Sequence, residues 1–192
     1  MQIAFLMFNE MTALDILGAY DAITRLKTTG ILPDLTWQWC GDAGIVLDDR
    51  GLRFTPDLVR PPLGEFDMVV VGGGMVTRRL MHDQDFIGWI RTAESASLKA
   101  SICTGALLLG AAGFLKGKRA TTNPPAYHEL EPYCAQVVQD RVVDEGDVIT
   151  ARGVMHSIDC GLHVVRRLAG DEAYARIRQM MDYRFEAGVG AR

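Results

Sequence analysis

Four short apolar runs that alternate with longer helical stretches constrain the fold of this chain more than any other feature of its sequence. The runs, which we interpret as strands, are residues 3–8, 35–40, 68–71 and 99–102. The stretches 15–27 and 158–169 place apolar side chains three and four positions apart, as on one face of a helix. Strands that alternate with helices form a mostly parallel sheet with helices on both faces, and the two middle runs are its expected central strands. The sequence therefore predicts an α/β fold.

Length and composition are those of one domain that spans residues 1–192. Apolar residues make up 48% of the chain and charged residues 23%, which allows a sizeable core. Residues 141–154 form two β-rich halves around Glu145, Gly146 and Asp147 and predict a hairpin. The net charge of −4 gives no electrostatic reason to expect nucleic acid or an anionic membrane as a partner. Small molecules and proteins remain.

The cysteines and the apolar runs bear on the compartment. Cys40, Cys103, Cys134 and Cys160 are far apart and form no Cys-x-x-Cys pair, so we expect reduced thiols rather than disulfides or a zinc site. The apolar start of the chain ends at Asn9 without a basic leader, and no run reaches the roughly 18–20 apolar residues of a membrane helix. We therefore expect a soluble cytoplasmic protein.

Cys103 is the strongest candidate for a reactive residue. It follows the predicted strand 99–102, and Thr104 and Gly105 lead directly into an apolar helix. This order is typical of a nucleophile elbow, a tight strand-to-helix turn that projects a nucleophile above the sheet. The N-terminus of the helix would favour the thiolate, which is the nucleophilic form of cysteine. The alternative is that Cys103 is a small buried apolar residue, as most free cysteines are.

Three glycines, Gly72, Gly73 and Gly74, follow the other central strand. Glycine permits positive φ angles and close approach of the backbone, so such a turn exposes amides. Because ligands of open α/β sheets bind at the carboxyl ends of the strands, we expect this turn and Cys103 to face one crevice. There the amides of Gly74 and Thr104 would hold an oxyanion. A glycine triplet is equally compatible with a tight turn that binds nothing, and it is not a dinucleotide motif.

Asp15 stands at the start of the first predicted helix. An acid at this position is most often an N-cap that accepts backbone hydrogen bonds. If the first strand lies beside the strand that ends at Cys103, however, the carboxyl group would share a proton with the thiol. The charge of a nearby thiolate would then raise the pKa of Asp15 and keep it protonated as a general acid.

Five segments resemble the ThiJ/PfpI superfamily in order and spacing, and together they cover nearly the whole chain. They are Leu14-Asp15-Ile16-Leu17-Gly18-Ala19-Tyr20-Asp21, Val71-Gly72-Gly73-Gly74, Ile102-Cys103-Thr104-Gly105-Ala106, Gly117-Lys118-Arg119-Ala120-Thr121-Thr122 and residues 153–162. The chain most resembles the branch that contains isonitrile hydratases and the ligand-binding domains of some AraC-type regulators. In that branch an aspartate stands near the thiol and Cys-Thr-Gly marks the elbow.

The resemblance implies a flavodoxin-like three-layer sandwich with a mostly parallel central sheet, a homodimer, and no cofactor or metal. The implied reaction is hydration of a small isonitrile to an N-substituted formamide. In it the Cys103 thiolate attacks the terminal carbon, Asp15 delivers a proton and then activates water, and the Thr104 hydroxyl orients water or substrate. The expected oxyanion-binding or substrate-binding residues are Gly73, Gly74 and Asn123.

Departures from the family pattern leave the substrate open. Asn123 stands where many members carry a histidine after the Thr-Thr pair, which argues against a protease or a glyoxalase that uses a Cys–His dyad. Arg152 and His156 stand where small residues are common. The histidines stand singly in the sequence, so no metal site is predicted. The alternatives to a hydratase are a glyoxalase or deglycase acting on reactive carbonyls, and a redox-sensing or ligand-sensing domain.

Overall fold

The computed structural model describes residues 1–184. Its strands are β1 (Gln2–Met7), β2 (Thr36–Gly41), β3 (Val46–Leu47), β4 (Arg53–Phe54), β5 (Leu58–Val59), β6 (Met68–Val71), β7 (Leu98–Ile102), β8 (Arg119–Ala120), β9 (Gln136–Val137), β10 (Val142–Asp144) and β11 (Val148–Ala151). Its helices are α1 (Ala13–Thr28), α2 (Thr77–Leu80), α3 (Gln84–Arg91), α4 (Gly105–Ala111), α5 (Tyr127–Leu130) and α6 (His156–Met180).

Seven strands form the central sheet, in the order β10-β11-β7-β6-β1-β2-β5. Neighbouring strands are parallel except β10 and β11, which form the predicted antiparallel hairpin. All residues of β6 and β7 are buried, because helices flank the sheet. The predicted α/β sandwich with a mostly parallel sheet is therefore confirmed, and its two most apolar strands are central.

Glycines allow the helices α1 and α6 to pack closely. A Cβ atom added to Gly18 would lie 2.2 Å from Ser157 Oγ, and one added to Gly161 would lie 2.7 Å from the Cβ atom of Ala22. Only a residue without a side chain fits at either contact. The contact at Gly18 places the start of α6 against the first turns of α1, where Asp15 lies.

The short strands β3, β4 and β5 were not predicted, because two-residue strands carry no alternating pattern that the sequence could reveal. The hairpin β3–β4 lies against the turn between β1 and α1: the Glu10 amide donates to the Leu47 carbonyl at 2.8 Å, and the Asp49 amide donates to the Met11 carbonyl at 2.9 Å. Among residues 1–184, no helix is both long and apolar enough to span a membrane.

Candidate active site

Cys103 connects β7 to α4 in a strained backbone conformation. Its φ angle is 56°, in the left-handed region that non-glycine residues rarely adopt. Its amide donates to the Ala151 carbonyl at 3.0 Å, and its carbonyl accepts a hydrogen bond from Thr122 Oγ1 at 2.8 Å. The predicted nucleophile elbow is thus present, and neighbouring segments hold it on both sides. No pattern in the sequence indicates this role of Thr122, although the residue belongs to the Thr-Thr pair.

Asp15 lies in the first turn of α1 and is fully buried. Its Oδ2 atom accepts a hydrogen bond from the Gly73 amide at 2.8 Å. Its Oδ1 atom has no hydrogen-bond partner of good geometry within residues 1–184. Thr12, not Asp15, occupies the N-cap position. The N-cap interpretation is therefore wrong, because the carboxyl group turns away from its own helix and towards the glycine turn and Cys103.

The glycine turn after β6 lies between Asp15 and the elbow at Cys103, and it places only backbone atoms between them. A Cβ atom on Gly73 would lie 2.6 Å from the Thr104 amide nitrogen and 3.0 Å from Asp15 Oδ2. Gly74 has a φ angle of 138°, and its added Cβ atom would lie 2.8 Å from the Glu10 carbonyl oxygen. Glycine is therefore required here for close approach and backbone conformation, as the sequence predicted.

The Thr104 hydroxyl is occupied by the glycine turn. It accepts a hydrogen bond from the Gly74 amide at 3.0 Å and donates to the Gly74 carbonyl at 2.9 Å. Thr77 Oγ1 donates to the same carbonyl at 2.8 Å. The Gly74 amide is consequently not free for an oxyanion, in contrast to the prediction, and the Gly73 amide is already bound to Asp15. The turn therefore positions the reactive groups. The backbone amide that lowers the pKa of the Cys103 thiol is that of Thr104.

Burial and proximity change the acidity of both groups. Burial raises the pKa of Asp15 to about 6, although the Gly73 amide and the Cys103 thiol lower it in part. The pKa of Cys103 rises to about 12, first through burial and then through the charge of Asp15, which the Thr104 amide offsets only in part. At neutral pH the pair therefore holds one proton, and that proton lies on sulfur. Burial and the charge of Asp15 thus oppose the stabilisation of the thiolate that the start of the helix was expected to provide.

Asn123 and His156 come together at Gly153. A Cβ atom on Gly153 would lie 3.6 Å from His156 Nδ1 and 3.7 Å from Asn123 Oδ1. The Gly153 amide donates to His156 Nδ1 at 3.1 Å. Both side chains are half-buried, as is Arg152. His156 was noted only as a departure from the family pattern, and its position next to Asn123 could not be predicted from two residues so far apart in the sequence.

Access to the thiol is narrow. Cys103 is 4% exposed, Thr104 is 2% exposed and Asp15 is not exposed. An open cavity of about 380 Å³ lies elsewhere, lined by Lys99 and Phe114 among others. Since Lys99 stands near the start of β7, that cavity lies at the opposite end of the strand from Cys103. The side chain of Cys103 is therefore almost completely shielded from solvent in this conformation.

Comparisons with known proteins identify a family and similar structures. The sequence profile of the DJ-1/PfpI family matches residues 1–167. Isonitrile hydratase from Pseudomonas putida is 35% identical over 185 residues, which cover 95% of this chain and 78% of that protein. A THiJ/PfpI family protein from Pseudomonas syringae superposes with a TM-score of 0.86 and 26% identity, covering 99% of this chain and 78% of that one.

A more distant structure shows the fold alone. Drosophila melanogaster DJ-1beta superposes with a TM-score of 0.82 at 22% identity, over 96% of this chain and 98% of that one. The resemblance identified from five sequence segments is therefore confirmed by a family profile, a relative that spans nearly the whole chain, and the architecture. This chain belongs to the DJ-1/PfpI family.

Proposed function

We propose that this chain is a cofactor-independent thiol enzyme that hydrates a small isonitrile to an N-substituted formamide. The buried Asp15–Cys103 pair, which holds one proton, carries the proposal. The reaction needs a nucleophile for the terminal carbon of R–N≡C and then a proton for the same carbon, and the pair supplies both. The narrow approach to sulfur suits a linear isonitrile group, and the similarity to the P. putida isonitrile hydratase supports this substrate class.

The first half-reaction adds the thiol to the terminal carbon. As Cys103 Sγ attacks, its proton passes to Asp15, and Oδ1 is the atom to receive it because Oδ2 is held by Gly73. Asp15 then delivers this proton to the same carbon. R–N≡C and Cys–SH thereby become the thioimidate Cys–S–CH=N–R, with no proton gained or lost. The raised pKa of Asp15, about 6, lets it act as acceptor and donor near neutral pH.

The second half-reaction adds water. Asp15 takes a proton from water, the hydroxide attacks the thioimidate carbon, and Asp15 passes that proton to the nitrogen, which gives Cys–S–CH(OH)–NH–R. The hydroxyl group then loses its proton to Asp15 as the C–S bond breaks and the C=O bond forms, and Asp15 returns this proton to sulfur. R–NH–CHO leaves, so the net change is the addition of one water molecule. We propose that Thr104 contributes by fixing the glycine turn and hence Asp15, since its hydroxyl is bonded to Gly74. Asn123 contributes by binding substrate.

Turnover of an aliphatic and an aromatic isonitrile, followed as formamide by liquid chromatography, tests the proposal. We expect Cys103→Ala and Asp15→Ala each to lose at least roughly 10³-fold in kcat/KM, because each removes a group that reacts directly. Cys134→Ala is the matched control, since Cys134 is a free thiol on another segment. Full turnover by Cys103→Ala would overturn the mechanism, and no turnover by the wild type would overturn the substrate class.

Reactive carbonyls are the second candidate substrates. The observation in their favour is His156, because its imidazole and the side chain of Asn123, the position where the family histidine is missing, both approach Gly153. A glyoxalase or deglycase activity would appear as conversion of methylglyoxal to lactate by the wild type and its loss in Cys103→Ala. A protein that only senses oxidants would turn over neither class, while mild peroxide would convert Cys103 to the sulfinic acid and leave the other thiols intact.

We also propose that the chain forms a homodimer. Exposed apolar side chains in the segment that includes the hairpin β3–β4 and strand β5 support this, since exposed large apolar side chains are common at interfaces; they are Ile45, Leu47, Leu52, Leu58 and Val59. Sedimentation equilibrium tests it: we expect a dimer for the wild type and a monomer for Leu47→Asp. Met180→Asp, at an exposed apolar position on α6, is the control and should leave the dimer intact.

The state of the thiols supports a reducing compartment, which we propose to be the cytoplasm. All four cysteines are free, and Cys40, Cys103 and Cys160 are buried. Cysteines remain reduced most readily in compartments where disulfides are rare. Cell fractionation with an antibody to the protein tests this location, and recovery in an extracellular fraction would contradict it.

A further inference from the structure

Two segments form hydrogen bonds with the backbone of Cys103, and each carries a polar side chain a few residues further along the chain. The Cys103 amide is bonded to Ala151 at the end of β11, and its carbonyl is bonded to Thr122. Asn123 directly follows Thr122, and His156 lies five residues beyond Ala151. The two segments are also joined to each other, since the Thr121 amide donates to Thr150 Oγ1 at 2.9 Å.

The loop after β11 folds so that His156 returns towards this junction. The Gly153 contacts place His156 Nδ1 and Asn123 Oδ1 over the same glycine. The next residue, Ser157, packs on Gly18, one turn along α1 from Asp15. His156 therefore lies between the segment that holds the Cys103 amide and the helix that carries Asp15.

The hydrogen bond from Gly153 fixes the tautomer of His156. Because Nδ1 accepts that bond, the ring proton of the neutral imidazole lies on Nε2. Burial, the largest of several influences, lowers the pKa of His156, which favours this neutral form at neutral pH. Within residues 1–184, neither Nε2 nor the Asn123 side chain has a hydrogen-bond partner. Two half-buried side chains next to the segments that hold the elbow therefore keep hydrogen-bonding capacity that no residue among 1–184 uses.

We propose that His156 Nε2–H and the Asn123 side chain form a recognition patch that donates hydrogen bonds to an oxygen acceptor on the substrate. An acceptor such as an ester, ether or hydroxyl oxygen satisfies donors that a hydrocarbon substituent leaves unpaired. The enzyme therefore prefers isonitriles that carry oxygen near the isonitrile group over plain alkyl isonitriles. This substrate preference rests on the proposed hydratase function, whereas the patch itself does not.

Two variants of His156 distinguish recognition of the substrate from an effect on the structure of the loop. His156→Gln places an amide N–H near the position of ring Nε2 and removes the acceptor for Gly153, whereas His156→Asn keeps that acceptor and removes the distal donor. The measured quantity is kcat/KM for methyl isocyanoacetate divided by kcat/KM for n-butyl isonitrile. We expect this ratio to fall about tenfold in His156→Asn, mainly through KM, and to change less than about twofold in His156→Gln. An equal fall in both, the reverse order, or no change in either would overturn the proposal.

Alkylation of Cys103 provides a readout that needs no hydratase activity. Iodoacetamide carries an acceptor carbonyl and allyl bromide does not, and intact mass with Cys103→Ala as background gives both rates at this thiol. We expect the iodoacetamide-to-allyl bromide ratio to fall in His156→Asn and to persist in His156→Gln. If the alkylation ratios behave in this way but the wild type hydrates no isonitrile, the recognition patch is supported and the hydratase function is rejected. Equal ratios in the wild type and both variants would reject the patch.

Discussion

Asp15 and Cys103 lie close enough to shift each other's pKa although the strands that lead to them are not neighbours. Asp15 follows β1, Cys103 ends β7, and β6 lies between them in the sheet. The gap is closed because β6 ends in the glycine turn, whose residues place no side chain between the carboxyl group and the elbow. Gly73 also donates the hydrogen bond that holds the carboxylate. The separation of acid and thiol therefore depends on backbone geometry at this turn.

The buried charge of Asp15 should cost stability. Its pKa is about 6 in the folded protein and 3.8 for an exposed carboxyl, so between these values the folded protein keeps a proton that the unfolded chain has lost. The cost is absent below about pH 4, grows up to about pH 6 and is about 3 kcal/mol above it. Asp15→Asn retains an acceptor for Gly73. We expect this variant to be about 2–3 kcal/mol more stable than the wild type at pH 8 and equal to it near pH 4.

Urea unfolding at the two pH values measures this difference. Asp21→Asn is a suitable control, since Asp21 lies on the same helix and is paired with Arg25 at the surface, where the exchange should change stability by less than about 1 kcal/mol. If the Asp15→Asn variant unfolded more readily than the wild type at pH 8, the conclusion that the buried charge of Asp15 costs stability would be contradicted.

The same substitution should separate thiol reactivity from catalysis. The charge of Asp15 is, after burial, the largest contribution that raises the pKa of Cys103, so Asp15→Asn should increase the thiolate fraction. We expect alkylation of Cys103 by iodoacetamide at pH 8 to become several-fold faster, because one pKa unit corresponds to a tenfold change in thiolate. Isonitrile hydration should be lost, since Asn transfers no proton. Intact mass spectrometry and formamide assays on one preparation measure both, and slower alkylation would exclude repulsion by Asp15.

The sequence predicted the features that follow from local patterns along the chain. It did not predict those that depend on contacts between segments far apart in the sequence. The strand before Cys103, the helix after it and the hairpin β10–β11 follow from local apolar and turn patterns. The role of Asp15 was predicted on the condition that β1 lies beside β7, and this condition is not met, because β6 lies between them. Asp15 still approaches the elbow, because the glycines that follow β6 place no side chain in the way. Local patterns likewise gave no sign that Thr104 bonds Gly74.

The hydroxyl group of Thr104 should stabilise the glycine turn. Thr104→Val keeps the shape of the side chain but leaves the buried Gly74 amide without an acceptor, which costs about 1–3 kcal/mol. Thr104→Ser keeps both hydrogen bonds. We expect the valine variant to be less stable and to lose turnover through kcat, because Asp15 is no longer held in place, and the serine variant to stay close to the wild type. Equal activity of both variants would show that the hydroxyl has no positioning role.

Gly73 is a position in the site where even the smallest side chain should be damaging. An added methyl group would lie 2.6 Å from the Thr104 amide nitrogen and 2.7 Å from its Oγ1, so the backbone of the elbow must move. We expect Gly73→Ala to lower stability by about 1–3 kcal/mol and to reduce turnover more than the loss of folded protein explains, because the Asp15–Cys103 geometry changes with it.

Gly88 provides the matched control for this exchange. It lies within α3, and an added Cβ atom there would have no neighbour within 4 Å. Alanine is favoured over glycine in a helix by about 1 kcal/mol, so Gly88→Ala should leave turnover unchanged and raise stability slightly. Thermal unfolding and formamide formation, measured for both variants, distinguish a specific effect on the turn from a general effect of the substitution. If Gly73→Ala kept full activity and stability, the requirement for close backbone approach between the acid and the thiol would be disproved.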